Sequence, residues 1–153
     1  MSITTPESMD APLETPRPPA NGTAHVTSPF KPRLMRIAEA HDETADVRTL
    51  RLSPADGDPL PSWRAGQFGE FSVFGTGEAV FTVANSPSRN QFLECSYRAV
   101  GKVTHALRNL APGQIVGFRG PYGNSFDVEG WKGRDIAFVG GGIGTVADRK
   151  SVV

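Results

Sequence analysis

The sequence predicts an all-β fold: six short antiparallel strands forming a small barrel, interrupted by one short helix and followed by the first strand of an α/β unit. Three observations predict it. From Leu34 onward short alternating segments are separated by clusters of Gly, Pro and Asp, the pattern of half-buried antiparallel strands. A single apolar stripe at helical spacing falls between the fifth and sixth segments. An unbroken apolar run then leads directly into glycines.

The elements follow in order. Residues 1–29 are rich in Pro, Thr, Ser and Ala and poor in large apolar side chains, so they bury too little surface to offset the entropy of ordering and are expected to be a disordered tail. Candidate strands fall at residues 34–40, 46–53, 67–74, 79–85, 91–99 and 114–119. The turns between them carry Pro54-Ala55-Asp56-Gly57-Asp58-Pro59, Gly75-Thr76-Gly77 and Ser86-Pro87-Ser88-Arg89-Asn90, residues suited to fixed or positive φ. In the fifth segment Leu93, Cys95, Tyr97 and Ala99 share the face expected to be buried, because side chains alternate along a strand. Val103, Ala106, Leu107 and Leu110 make one helical stripe, ended by Pro112-Gly113. Asp135-Ile136-Ala137-Phe138-Val139 is the pattern of a strand covered on both faces, and Gly140-Gly141-Gly142-Ile143-Gly144 follows it, the usual opening of a nucleotide-binding unit. The expected domains are therefore a barrel over residues 30–128 and the start of a second domain over residues 134–153.

Bulk properties exclude several functions. Sixteen Lys and Arg balance 16 Asp and Glu, so no net field draws the chain to nucleic acid or to an anionic membrane surface. There is no apolar run of membrane-spanning length and no signal-peptide pattern at the start, which makes a cytoplasmic location the default expectation. Cys95 is the single cysteine; it excludes an internal disulfide or a multi-thiolate metal site and is expected to pack as a small hydrophobe. The three histidines, His25, His41 and His105, have no metal-ligand spacing, and no nucleophile-base-acid set is present.

Two segments have the chemistry of anion binding. Gly101-Lys102-Val103-Thr104 opens the helix, where free amides, an ammonium and a hydroxyl could hold a phosphate. On this segment alone the blander alternative is favoured, with Thr104 capping the helix and Lys102 a solvated charge. The glycine run after Val139 is the stronger signal because a strand precedes it, although its Gly-x-Gly-x-Gly spacing is not that of the dinucleotide fingerprint. Its alternative is a tight turn with close packing. The aromatics of Pro61-Ser62-Trp63-Arg64-Ala65-Gly66-Gln67-Phe68 and Arg119-Gly120-Pro121-Tyr122-Gly123-Asn124-Ser125-Phe126 are turn residues that could also border a planar ligand.

Taken in order, Ala65-Gly66-Gln67-Phe68, Phe81-Thr82-Val83-Ala84-Asn85-Ser86-Pro87, Tyr97-Arg98-Ala99-Val100-Gly101-Lys102-Val103-Thr104, Arg119-Gly120-Pro121-Tyr122-Gly123 and the glycine run resemble the ferredoxin-NADP reductase family. Within it the chain resembles the flavin- and NAD(P)-binding subunits that serve hydrogenases, sulfite reductases, heterodisulfide reductases and dihydroorotate dehydrogenase. The resemblance covers about residues 31–144. It implies a six-stranded antiparallel Greek-key flavin-binding barrel. Phe81 would lie against the isoalloxazine ring, Thr82 would bond near its reactive nitrogen, and Val83 and Ala84 would complete that strand. Tyr97, Arg98 and Ala99 would line the sugar and phosphate chain, and Gly140, Gly141, Gly142 and Gly144 would receive the nicotinamide nucleotide. Where the family has a phosphate-binding arginine two positions before the aromatic, this sequence has Ala79. The phosphate work would shift to Arg98, Gly101, Lys102, Val103 and Thr104, with FAD as the expected cofactor and FMN as the alternative.

The resemblance also implies a reaction. A hydride passes between NAD(P)H and flavin, electrons leave singly through an iron-sulfur centre to a partner redox enzyme, and the cofactor carries the chemistry. Related subunits hold a two-iron cluster near their C-terminus, which Cys95 does not supply. The last six residues, Asp148-Arg149-Lys150-Ser151-Val152-Val153, can be encoded by GAT CGG AAG AGC GTC GTG, a common sequencing-adapter sequence. The expectation is a reading frame cut short, with little NAD(P)H oxidation by this chain alone. The competing expectations are a non-catalytic β-barrel that binds a protein or oligosaccharide, and a regulatory subunit that uses no nucleotide.

Overall fold

The computed structural model describes residues 28, 30–137 and 139–145. The disordered tail expected at residues 1–29 lies almost wholly outside them, as does Phe138. The chain forms β1 (Arg33–Asp42), β2 (Val47–Pro54), β3 (Phe68–Val73), β4 (Gly77–Thr82), β5 (Leu93–Arg98), α1 (Lys102–Arg108) and β6 (Ile115–Tyr122). All pairings are antiparallel, and the sheet order is β4-β3-β6-β1-β2-β5. All six expected strands form. Their ends move by a few residues where a turn is tighter than its sequence implied. The Thr76 amide bonds the Val73 carbonyl at 2.9 Å, so Gly77 already pairs with Val73 and β4 starts early.

The alternating pattern produces the burial it predicts. Met35 and Ile37 from β1, Leu50 and Leu52 from β2, Phe71 and Val73 from β3, Val116 and Phe118 from β6 and Leu93, Cys95 and Tyr97 from β5 fill one interior. On β5 the intervening Glu94 and Ser96 are half-buried and Arg98 is exposed. Ala99, expected on the buried face, follows the strand end and is half-buried. Burial of this apolar set, at roughly 25 cal/mol per Å² removed from water, is the main favourable contribution to folding. Phe118 crosses the interior against β3, and a Cβ at Gly69 would overlap its ring. Glycine is required there by close approach.

The ends of the sheet order, β4 and β5, come to lie beside each other. They are stitched at one end, where the Ala84 amide bonds the Glu94 carbonyl at 2.8 Å and the Glu94 amide bonds Asn85 Oδ1 at 2.8 Å. Among the described residues no ladder joins the rest of the two strands. The barrel is thus closed on five sides by paired strands and on the sixth by a seam.

The expected strand after the barrel needs revision. Residues 135–137 and 139 form no strand, and all are exposed, Val139 by 95%. A strand buried on both faces needs neighbours at its edges and layers above and below; among the described residues nothing takes those places. Residues 142–145 make a single 3-10 turn, Gly142 taking φ of 62°, and the turn lies near β5. Helix α1 is as expected in position and length, with Leu107 buried and Val103, Ala106 and Leu110 packed partly on the core. No described helix is long and apolar enough to cross a membrane.

Candidate functional site

The β4–β5 seam gathers most of the residues that the sequence singled out. Phe81 lies beneath it: its ring centroid is 5.4 Å from Tyr97 on the facing strand and 5.4 Å from Phe71. Alternation therefore turns Phe81 toward the interior, with Val80 and Thr82 on the outer face. Val80 is 57% exposed and Thr82 half-buried. Ala79 is half-buried opposite Phe71 in the β3–β4 register, so no cation stands at this position. Val83 and Ala84 are buried and their amides are engaged, Val83 with the Gln67 carbonyl at 3.0 Å and Ala84 in the stitch to Glu94.

Beyond β5 the chain turns into α1. Gly101 is the N-cap, and Thr104 Oγ1 accepts the amides of Val100 and Gly101 at 3.0 and 2.9 Å. The blander expectation for Thr104 describes its side chain: it caps the helix. His105 is exposed, with Nδ1 2.8 Å from the Gly101 carbonyl oxygen. Lys102 and Gly101 are exposed and Val103 is half-buried, its Cγ2 close to Gly77 at the start of β4. Among the described residues Lys102 has no ion pair, whereas Arg98 is paired with Asp46 at 2.9 Å. Gly140, Gly141, Gly142 and Gly144 are exposed and lead into or form the 3-10 turn near β5. The seam, the start of α1 and the glycine turn thus occupy one flank of the barrel.

Tyr97 is buried, and burial pushes its hydroxyl well above the ordinary tyrosine range. That hydroxyl has no hydrogen-bond partner. Cys95 is fully buried and its thiol is pushed up to about 12 by desolvation, which fits an inert packing role and not a reactive thiolate. At the first loop pair, a cleft of about 500 Å³ is lined by Ser62, Trp63, Arg64, Gln67, Gly123, Asn124 and Ser125. Its wall is continuous with the seam, because Gln67 accepts the Val83 amide. Tyr122 is 39% exposed nearby, its ring 6.2 Å from Phe68.

Two residues that organise this flank were not singled out from sequence. Asn85 is buried and donates to the carbonyls of Arg89 at 2.8 Å and Phe92 at 3.0 Å while accepting the Glu94 amide. Trp63 Nε1 also donates to its backbone carbonyl at 3.3 Å. The turn signal read from sequence begins one residue later, at Ser86-Pro87, and a side chain serving three backbone groups leaves no periodic trace. Arg48 on β2 holds Asp42 through Nε and Nη2 at 2.7 and 2.9 Å, and its Nη1 donates to the carbonyls of Arg108 at 2.5 Å and Leu110 at 3.5 Å. The hydrogen bonds from Arg48 hold the Asp42 carboxyl below its ordinary range.

No family model matches the chain. It is 31% identical over 120 residues to the sulfhydrogenase 1 gamma subunit of Pyrococcus furiosus, a match covering 77% of this chain and 41% of that protein. It is 32% identical over 116 residues to a probable dihydroorotate dehydrogenase B (NAD(+)) electron transfer subunit of Methanocella arvoryzae, covering 76% of this chain and 40% of the relative. Among solved structures, an Amycolatopsis cytochrome P450 reductase superposes with a TM-score of 0.54 at 31% identity, over 60% of this chain and 28% of that one. The phthalate dioxygenase reductase superposes with a TM-score of 0.56 over 60% of this chain and 30% of its own, at 16% identity, a likeness of fold. The chain spans about two fifths of the length of the curated relatives it matches.

Proposed function

We propose that this chain, a member of the ferredoxin-NADP reductase family homologous to the sulfhydrogenase gamma and dihydroorotate dehydrogenase electron-transfer subunits, binds a flavin over the β4–β5 seam. It serves there as part of a subunit passing electrons between NAD(P)H and a partner redox enzyme. The observation that carries this reading is the seam itself. Among the described residues the two strand edges face each other with no ladder beyond the Ala84–Glu94 stitch, Phe81 and Tyr97 fill the floor, and Lys102, which has no ion pair there, opens the helix that packs on β4. A planar heterocycle with hydrogen-bonding edges can lie over such a strip and pair with its free backbone groups.

When bound, the flavin supplies two-electron exchange with NAD(P)H and one-electron exchange with the partner. The chain supplies position. Thr82 and Val80 offer the outer surface of β4 to the ring, while Phe81 and Tyr97 stiffen that surface from beneath. Residues 97–104 run beside the sugar and phosphate chain. Lys102 is the cation best placed for phosphate, and Arg98 contributes once it exchanges Asp46 for the ligand. FAD is the favoured cofactor and FMN the alternative, since Ala79 removes one phosphate partner. The partner enzyme is of the hydrogenase, sulfite reductase or heterodisulfide reductase kind.

Residues 30–128 constitute the flavin-binding domain in this reading, and residues 134–153 begin a nucleotide-binding one whose Gly140, Gly141, Gly142 and Gly144 receive NAD(P)H. Because residues 135–137 are irregular and exposed here, NAD(P)H oxidation by this chain alone is expected to be low. The test is a titration of the purified chain with FAD and FMN, followed by visible absorbance and flavin fluorescence. Band shifts and quenching at micromolar flavin are the expected outcome. A chain that leaves both spectra unchanged at hundreds of micromolar flavin overturns the reading and favours a non-catalytic barrel.

A further inference from the structure

Helix α1 has seven residues and one fully buried side chain, Leu107. A helix of that length does not hold itself in water, so its position is set by what it is tied to. One tie is apolar, through Leu107 and the partly buried Val103, Ala106 and Leu110. The other is Arg48. Its guanidinium grips both oxygens of Asp42 on β1 and donates to the Arg108 and Leu110 carbonyls at the end of the helix, groups left without helical partners. Arg108 itself reaches the same Asp42 carboxylate at 3.3 Å. In the β2–β5 register Arg48 stands opposite Tyr97, so the clamp sits where the 97–104 segment begins as well as where the helix ends. The side chain of Arg48 is only 18% exposed, and its bonds to the Arg108 and Leu110 carbonyls are partly buried, whereas the Asp42 carboxylate is open to solvent.

We propose that Arg48 is a positioning residue for flavin binding: by tying α1 to β1 and β2, it fixes where the segment that follows β5 presents Lys102 to the flavin's phosphate. This rests on the flavin reading above. It predicts a selective effect, because riboflavin has the ring and lacks the phosphate. Arg48 touches no ligand in this assignment and acts only through the segment it holds.

The experiment compares the full chain with R48M, which keeps an apolar stem, and R48K, which keeps one charged donor group. Dissociation constants for FAD, FMN and riboflavin are measured by fluorescence quenching. Amide hydrogen exchange is followed without flavin at His105, Asn109 and Leu110, whose amides bond within or just after the helix. R48M is expected to weaken FAD and FMN about tenfold, the order of one lost charge-assisted tether, with riboflavin changed less than twofold. The helix amides should exchange at least about tenfold faster in R48M while those of β2 and β5 keep their protection. R48K should fall between the two. The proposal is overturned if FAD and riboflavin weaken equally, if helix exchange is unchanged, or if protection is lost evenly across the barrel. A wild-type chain that binds none of the three flavins overturns the flavin reading and this inference together, whereas normal wild-type binding with an indifferent R48M overturns this inference alone.

Discussion

Between residues 33 and 122 the chain alternates buried and exposed side chains and forms one aromatic and aliphatic interior. From residue 129 to residue 144 the described side chains are exposed, apart from the half-buried Trp131 and Ile143. Yet 135–139 is as apolar as any stretch of the barrel. The difference lies in what each pattern demands. An alternating strand needs one covered face, and five other strands of the same chain provide it. A continuous apolar strand needs cover on both faces and pairing at both edges, and residues 135–137 and 139 have neither here. Hydrophobicity contributes to stability only where the partner surface is present, so the two regions should respond oppositely to mutation.

The largest expected effect tests the barrel half of that contrast. Leu50 is fully buried between β1 and β5, and Leu50→Ala should cost about 3 kcal/mol through lost transfer energy and the cavity left behind. Urea unfolding followed by tryptophan fluorescence measures it, and a loss under about 1 kcal/mol would mean the interior is not packed as described. Gly69→Ala comes next. The added methyl has to displace the Phe118 ring on the adjoining strand β6, and overpacking of this kind costs about 2 kcal/mol.

Asn85→Ala should cost about 1 to 2 kcal/mol, because the carbonyls of Arg89 and Phe92 and the amide of Glu94 lose their partner. This variant sharpens the comparison at the point where the barrel is weakest. If the stitch sets the seam, flavin affinity should fall by more than the stability loss explains, and Asn85→Asp, which keeps the acceptor for Glu94, should restore part of it.

A smaller effect is expected on acidification. Arg48 lowers the Asp42 carboxyl from its ordinary 3.8, Arg33 does the same at Asp56, and bonds from Ser72 and Arg119 lower Glu78. A depressed folded value means the stabilisation is present above the unfolded value and is lost as pH falls through the folded one. These pairs belong to exposed carboxylates, where screening keeps each contribution small. The unfolding midpoint should therefore be flat from pH 7 to 5 and decline below about pH 4, with Asp42→Asn removing part of the decline.

What the sequence disclosed about this molecule follows the same line. All six strands and the helix were legible because each has a local period, and the buried set on β5 followed from alternation alone. The seam was not, since it depends on which strands end a sheet, a property of topology that no window of residues carries. Phe81 and Thr82 were picked out by motif order, and Lys102 and the glycines also by the helix start and the apolar run before them; in the fold α1 packs on β4 and the 3-10 turn lies near β5. That Arg98 is occupied by Asp46, and that Thr104 caps its own helix, depends on distances in the folded chain. Arg48 and Asn85 were missed because charged or amide side chains that bond backbone carbonyls 60 or 4 residues away have no signature of their own.

The smallest expected effect completes the contrast. Ile136 is a large apolar residue in the most hydrophobic run after the barrel, and by composition alone Ile136→Ala would be ranked with Leu50→Ala. In the structure it is 46% exposed and belongs to no ladder. Its replacement should change stability by no more than about 0.5 kcal/mol, the range of surface substitutions. Ile136→Lys should do no more harm to the fold and should improve solubility, since an exposed apolar run is a site for self-association. Size-exclusion chromatography and urea unfolding on the same preparations separate the two effects. A loss of about 2 kcal/mol or more at Ile136 would show that residues 135–137 are covered in solution, and the division between a packed barrel and an exposed apolar segment would have to be redrawn.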